Sequence, residues 1–404
     1  MLGWEFPPLI SGGLGVACQG IARGLAQEGV KITLLVPRYY SNPPKFLKLV
    51  SAEKILSHQP SQAIDISELL PLGSAYISPE DYENWYKKAL ASGSTIALLY
   101  GPTLFYEVEK FAKASEIVAS KVKFDIIHCH DWMTYKAGMS AKKVSGVPLV
   151  AHVHSIENDR SPFCNPKISE IEKFGLENAD LVLCVSKYTM NRVKQVYGIP
   201  ENKMAVAYNG IELNCGAPLV KKPKKKRLNQ ALFFGRITWQ KGPDYFIETA
   251  KKMLKQRSNL RFVLAGWGDK AVPLIEYVAN LRLGNKILFA GFLNERELKA
   301  LLHNSDVFLV TSISEPFGLV ALEGLSQGVP AVISKQSGIS EILTSIPSAD
   351  YWDTEKFAQY AFELIDNPEL GKNQIQEIWP VLKKTSWSNN GKTILSYYQK
   401  ILGN

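Results

Sequence analysis

Short apolar runs recur along the whole chain, and each is followed by a longer segment whose apolar positions fall three or four apart. In the first half the runs lie at 30–36, 124–129, 147–153, 180–185 and 204–207, and in the second at 231–235, 261–265, 286–290, 306–310 and 330–333. Runs with no polar alternation suit strands buried on both faces. Residues 1–6 read as one more strand, broken by Pro7-Pro8. The intervening stripes are helical: Val16, Ile21, Leu25 and Ala26; Phe105, Val108, Phe111, Ala112, Ile117 and Val118; Phe246, Ile247, Ala250, Met253 and Leu254. Further helices are expected at 134–144, before Ala179, after a Ser186 cap, through Leu302 behind an Asn294/Glu297 capping box, and at 355–365 and 392–401. Strand and helix alternate almost throughout, which predicts an α/β protein with parallel sheets covered on both faces. Residues 37–100 are less periodic and read as one or two strands with long loops, part of an acceptor surface.

With 404 residues the chain is long for one hydrophobic core, and two domains of about 200 residues each are expected. The divisions fall at 1–212, a basic linker at 213–229, 230–385, and a last helix at 386–404. Lys221 to Arg227 holds six basic residues in seven around a proline, which suits an exposed linker, with contact to an anionic membrane as the second reading. The composition, 46% hydrophobic and 21% charged, is that of a soluble globular protein. No apolar run reaches the roughly 18 residues that a membrane span needs. The N-terminus lacks the pattern of a signal peptide, and five scattered cysteines without a CxxC pair suit a reducing, cytoplasmic compartment. A net charge of +9 favours anionic partners without choosing among nucleotide, nucleic acid and lipid.

Chemistry concentrates where strands end. After the run 306–310, Ser314-Glu315-Pro316-Phe317-Gly318-Leu319 leads into a helix that carries Glu323. Backbone N–H groups of Phe317, Gly318 and Leu319 at a helix start form an anion site, and two flanking carboxylates suit sugar hydroxyls better than phosphate. Ser11-Gly12-Gly13 opens another helix with the close backbone approach that glycine permits. Arg236 and Lys241 follow the strand 231–235 and supply the cations for a diphosphate. Backbone near Gly266 and Leu293, at two further strand ends, suits a nucleotide base. His128, His130, His152 and His154 form two His-x-His pairs, for which structural hydrogen bonding, sugar contact and metal ligation stay open in that order. His130-Asp131 and His154 end their strands, where open parallel sheets bind ligands. No Asp-x-Asp is present to cradle a metal-held diphosphate.

Taken in order, Gly-Trp-Glu-Phe-Pro-Pro with Ser-Gly-Gly-Leu-Gly, His130-Asp131-Trp132, His152 to Glu157, Gly235-Arg236 with Gln240-Lys241-Gly242, and Glu315 to Glu323 resemble family 4 of the retaining glycosyltransferases, close to the glycogen and starch synthases. The resemblance covers nearly the whole chain. It implies a GT-B fold: two Rossmann-like domains facing across a cleft, with the C-terminal helix crossing back to the first. It also implies that Arg236, Lys241 and backbone near Gly12 and Gly13 bind the donor diphosphate. Glu315 would contact the transferred sugar, Glu323 the ribose, His154 the anomeric centre and Asp131 the acceptor. Ile10-Ser11 stands where those synthases carry a lysine, which weighs against ADP-glucose and glucan elongation. The implied activity is metal- and cofactor-independent transfer of a hexosyl group, glucosyl foremost, from a UDP- or ADP-linked donor to a sugar, glucan or lipid hydroxyl. A nucleotide-sugar epimerase, a phosphorylase-like enzyme and a non-catalytic glucan-binding protein are the alternatives.

Overall fold

The computed structural model describes residues 1–10, 12–39, 43–57, 104–213 and 228–403. Ser11, the basic cluster 221–227 and most of 37–100 lie outside the described residues. The chain divides into two compact units, one comprising Met1–Gly210 with Trp387–Asn404 and the other Ile211–Ser386.

In the first unit β1 (Thr33–Val36) pairs with β2 (Lys48–Ser51), and β3 (Ile127–His130), β4 (Leu149–Val153), β5 (Leu181–Cys184) and β6 (Met204–Val206) form a second parallel set. Leu2 joins the two sets. Its N–H donates to His128 O at 2.8 Å and its carbonyl accepts from His130 N at 3.2 Å, while Leu35 N donates to Met1 O at 3.0 Å on the other side. Residues 1–6 therefore supply one doubly bridged position rather than a full strand, because the chain turns back at once through the Phe6–Leu9 pair. The lateral order is β2, β1, Leu2, β3, β4, β5, β6, so succession runs one way from Leu2 and the other way from β3. Trp4, Phe111 and Trp132 are among the largest fully buried side chains beneath this sheet.

The last helix, Trp387–Leu402, lies against the first, Gly13–Gln27. Approach is possible because the facing positions are glycines: a Cβ on Gly20 would sit 2.2 Å from the Trp387 ring, and one on Gly24 would sit 2.0 Å from the Trp387 carbonyl oxygen. The latter contact is with backbone and cannot be relieved by a rotamer change. Gly24→Ala should therefore lower stability by about 1–3 kcal/mol, an overpacking effect, and an unchanged thermal midpoint would contradict this packing. Asn390 Nδ2 donates to Tyr208 O at 2.8 Å and Tyr397 Oη to Val206 O at 3.2 Å, fixing the helix beside the end of β6.

The second unit is a six-stranded parallel sheet in the order β12-β11-β10-β7-β8-β9. Its strands are β7 (Asn229–Phe234), β8 (Leu260–Ala265), β9 (Ile287–Gly291), β10 (Val307–Val310), β11 (Ala331–Ser334) and β12 (Ser348–Ala349). Chain succession reverses between β7 and β10, which are neighbours through Val307↔Ala231 and Phe308↔Leu232. A crevice opens at the carboxyl ends of strands at such a switch point, and ligands bind there. Two helices escaped the sequence pattern, Ala271–Asn280 and Pro368–Lys384. The second carries Gly371 and an internal proline, Pro380, both of which signal helix breaks, yet it buries Ile375, Ile378, Trp379 and Leu382. No helix among the described residues is long and apolar enough to cross a membrane.

Candidate active site

The carboxyl ends of β7 and β10 bring together residues 74 positions apart. Lys241 Nζ donates to both oxygens of Glu315, at 2.8 and 2.7 Å. The two side chains are 15% and 6% exposed, so the pair is screened little by water. Ser312 Oγ donates to Glu315 Oε2 at 3.1 Å. The backbone of Glu315 is clamped on the turn after β11: its N–H donates to Gln336 O and its carbonyl accepts from Gly338 N, both at 2.8 Å.

Lys241 is placed by an equally tight joint. Gln240 O accepts from Ile313 N at 2.9 Å, and Thr311 Oγ1 donates to Gly242 O at 2.8 Å. Gly242 sits at φ 60°, where a Cβ would lie 2.1 Å from Thr311 O, so only glycine permits the loops after β7 and β10 to touch. Gly266 at the end of β8 is similarly constrained: its φ is 128° and a Cβ would lie 1.9 Å from Gly235 O. Arg236 is half-buried just beyond β7, and Leu293 half-buried just beyond β9.

Glu315 leads through buried Phe317 to Gly318, the N-cap of the helix Leu319–Ser326. Leu319 and Glu323 are one turn apart on the same helical face, roughly 6 Å along the axis. Among the described residues the Glu323 carboxyl has no hydrogen-bond or ion-pair partner, and burial pushes it up to about 7. The start of this helix and, one turn on, the Glu323 carboxyl share one face.

In the first unit the switch point lies between Leu2 and β3. Gly12, in extended conformation, caps the helix that begins at Gly13. Asp131 follows β3 at φ 61°, an uncommon and strained conformation for a residue with a Cβ. What holds it there is a set of donors: Asp131 Oδ1 accepts from His154 N at 2.7 Å and Ser155 N at 3.4 Å, and Oδ2 from Arg160 Nη2 at 3.3 Å. The carboxylate assigned to the acceptor from sequence is thus 2% exposed and engaged in bracing the end of β4, where His154 sits. Arg160, which sequence did not single out, also donates through Nη1 to Glu172 Oε1 at 3.1 Å. Glu172 accepts in addition from Glu157 N and from the Tyr197 hydroxyl. Burial pushes Glu172 up to about 7, against the opposing pull of Arg160.

The His-x-His pairs are side by side, with His128 and His130 on β3, His152 on β4 and His154 just beyond its end. Ligand atoms of His128, His130 and His152 lie within 4.8 Å of one another, the spacing of a metal-site candidate. The rings, however, are stacked, with His128 and His130 centroids 4.5 Å apart at 17° and His152 and His154 4.6 Å apart at 26°. Near-parallel rings direct their lone pairs side by side instead of toward a common point, and His128 Nε2 already lies 3.0 Å from His152 Nδ1. The arrangement suits hydrogen bonding, the first of the three roles considered from sequence. Tyr398, from the last helix, hydrogen-bonds His128 Nδ1.

Comparison with known proteins gives the family and the fold. A family model described as Glycosyltransferase Family 4 matches residues 79–214, and one described as Glycosyl transferases group 1 matches residues 219–378. An uncharacterized glycosyltransferase of Methanocaldococcus jannaschii is 28% identical, over 99% of this chain and 97% of its own. A glycogen synthase of Mycobacterium tuberculosis is 23% identical over 84% of this chain and 78% of its own. Among solved structures, sucrose-phosphate synthase from Thermosynechococcus elongatus has a TM-score of 0.73 at 18% identity, covering 100% of this chain and 98% of that one. Anabaena HepE in complex with UDP-glucose has a TM-score of 0.67 at 17% identity, with 99% of each chain covered. Two parallel-sheet units, each with polar groups gathered at its switch point, and these likenesses define a glycosyltransferase of the GT-B fold. The chain belongs to glycosyltransferase family 4, and a glycogen synthase is among its relatives.

Proposed function

We propose that this chain is a retaining hexosyltransferase that moves a hexosyl group, glucosyl foremost, from a UDP- or ADP-linked donor to the hydroxyl of a sugar, glucan or lipid. The carrying observation is the Lys241–Glu315 pair at the β7/β10 switch point, adjoining a helix whose first turn presents Glu323. The donor diphosphate lies against the start of the helix Leu319–Ser326, with Arg236 and Lys241 neutralising it as it leaves. Backbone near Gly12 and Gly13 adds donors. With two side-chain cations and a helix N-terminus available, and no Asp-x-Asp in the sequence, the transfer proceeds without a metal ion. Glu315 accepts from hydroxyls of the transferred sugar, Glu323 from those of the ribose, and backbone near Gly266 and Leu293 meets the base. His154, held in place by Asp131, contacts the sugar near its anomeric carbon. The acceptor attacks from the face the diphosphate leaves, and the departing phosphate takes its proton, so no protein nucleophile is required. Positioning and electrostatic stabilisation supply most of the rate.

HepE, crystallised with UDP-glucose, makes that nucleotide sugar the first donor to test. Incubation with UDP-, ADP- and GDP-glucose, with and without oligosaccharide acceptors, should give acceptor-dependent release of the nucleotide and an α-configured product by NMR. An inverted anomer or acceptor-independent turnover overturns the reading. Glu323 adds a pH signature. Its carboxyl titrates at about 7, and the ionised form is the better acceptor for ribose hydroxyls. UDP-glucose affinity should therefore rise about tenfold from about pH 6 to about pH 8, a range in which the diphosphate diester itself does not titrate. Calorimetry on Glu323→Gln should give a flat profile; an equally steep one would remove Glu323 from the site.

A further inference from the structure

The four stacked imidazoles form two lateral pairs, His128 with His152 and His130 with His154, each with 3.0 Å between nitrogens. His130 joins His154 through Nδ1, and its own Nε2 is fully buried with no partner among the described residues. Burial holds His130 well below the ordinary imidazole range and lowers His154 also, so both rings are neutral near pH 7. Each neutral ring carries one N–H and one lone pair. A single proton therefore occupies the His130 Nδ1–His154 Nε2 contact, and either ring can own it.

The orphaned nitrogen decides between the two. If His154 owned the proton, the N–H of His130 would have to lie on Nε2, buried with no acceptor. If His130 owns it on Nδ1, the atom left over is a lone pair. Buried N–H groups without acceptors are the rarer defect, so the second arrangement is favoured. His154 then accepts at Nε2 and carries its proton on Nδ1, the nitrogen turned away from His130. Asp131, next in sequence, fixes the backbone N–H of the same residue at 2.7 Å. Two consecutive residues at the end of β3 thus set the position and the protonated atom of His154.

We propose that His130 is a positioning residue that holds His154 in the Nδ1–H tautomer, so that the ring offers a hydrogen-bond donor to a hydroxyl of the transferred sugar. This rests on the assignment of His154 to sugar contact given above. The test begins with the tautomer itself, which can be observed without any substrate. The chain has six histidines, so selective imidazole ¹⁵N labelling of the full-length protein gives a tractable two-bond ¹H–¹⁵N spectrum. The His154 signals, assigned by their loss in His154→Gln, should show the Nδ1–H pattern; an Nε2–H pattern overturns the proposal even if neither His130 variant folds. His130→Asn keeps an N–H donor near the place of Nδ1–H and should stay within about threefold of wild-type kcat/KM, whereas His130→Leu should lose about 10- to 100-fold. Binding of UDP alone should be unchanged in both. An Nδ1–H signal combined with equal turnover in Asn and Leu variants overturns the sugar contact instead, which separates failure of the tautomer from failure of the functional assignment.

Discussion

Lys241→Ala is expected to lower kcat/KM for the sugar-nucleotide donor by about a thousandfold, at the upper end of what losing one preorganised electrostatic contact costs an enzyme. Two losses combine. The developing negative charge on the leaving diphosphate loses a cation, and Glu315, whose side chain is 6% exposed, loses its counter-charge. A carboxylate left, among the described residues, with Ser312 Oγ as its side-chain donor would repel the incoming diphosphate, so donor KM should rise and kcat fall together. Glu315→Gln should separate the two effects. It keeps the size of the side chain and leaves Lys241 free for phosphate, so KM should hold or fall while kcat drops about a hundredfold because the sugar hydroxyls lose a charged acceptor. Initial rates against UDP-glucose, with circular dichroism to confirm folding, check both. Wild-type turnover in either variant would place the donor elsewhere.

The second large effect is on stability. Arg160→Met should cost about 3–5 kcal/mol, as removing one partner of a buried ion pair does. Its guanidinium stands among three buried carboxylates, 3.3 Å from Asp131, 3.1 Å from Glu172 and 3.9 Å from Glu157. Methionine fills much of the volume but compensates none of the charge. The pH dependence gives the mechanism away. Glu172 titrates at about 7 in the folded protein against an ordinary value of 4.5, so folding holds its proton more tightly than the unfolded chain does. That contribution to stability is fully present below about pH 4.5 and is lost as pH rises through about 7. Burial raises Glu172 and Glu157 alike while Arg160 pulls both down, so without Arg160 these two glutamates hold their protons still more strongly and the penalty relative to wild type should grow with pH. Urea midpoints at about pH 5 and about pH 8 measure this. An equal penalty at both would mean that Arg160 acts through packing alone.

Much of the site was legible because local chemistry determines local structure. The Asn294/Glu297 capping box forms with both hydrogen bonds, and Ser186 caps its helix through Thr189 N. Glu315, Gly318 and Glu323 lie where a strand feeding a helix was expected. Other features depended on partners far along the chain. The pairing of Lys241 with Glu315 spans 74 positions, and sequence had given the two residues separate tasks. Asp131 was expected beside an acceptor, but its carboxylate is occupied by His154 N, Ser155 N and Arg160, donors contributed after the next strand. Arg160, Glu172, Tyr197 and Ser312 had no motif to mark them. The helix Pro368–Lys384 was missed because Gly371 and Pro380 signal breaks. Yet a Cβ at position 371 would lie only 3.0 Å from Pro330 Cγ, so the glycine there serves close packing.

By itself the sequence determined the alternation of buried strands and amphipathic helices, the strand ends that carry chemistry, and the residue types available there. Those follow from periodicity, caps and turns, which act over a few residues. Only the tertiary structure decided the lateral order of the strands, and with it the switch points at Leu2/β3 and β7/β10 where polar groups gather. It also decided which charges are buried together: one cation against Glu315, and one guanidinium among three carboxylates. Ionic interactions strengthen as water is excluded, and which groups lose water is a property of the packed sheet and its loops rather than of any short segment of the chain.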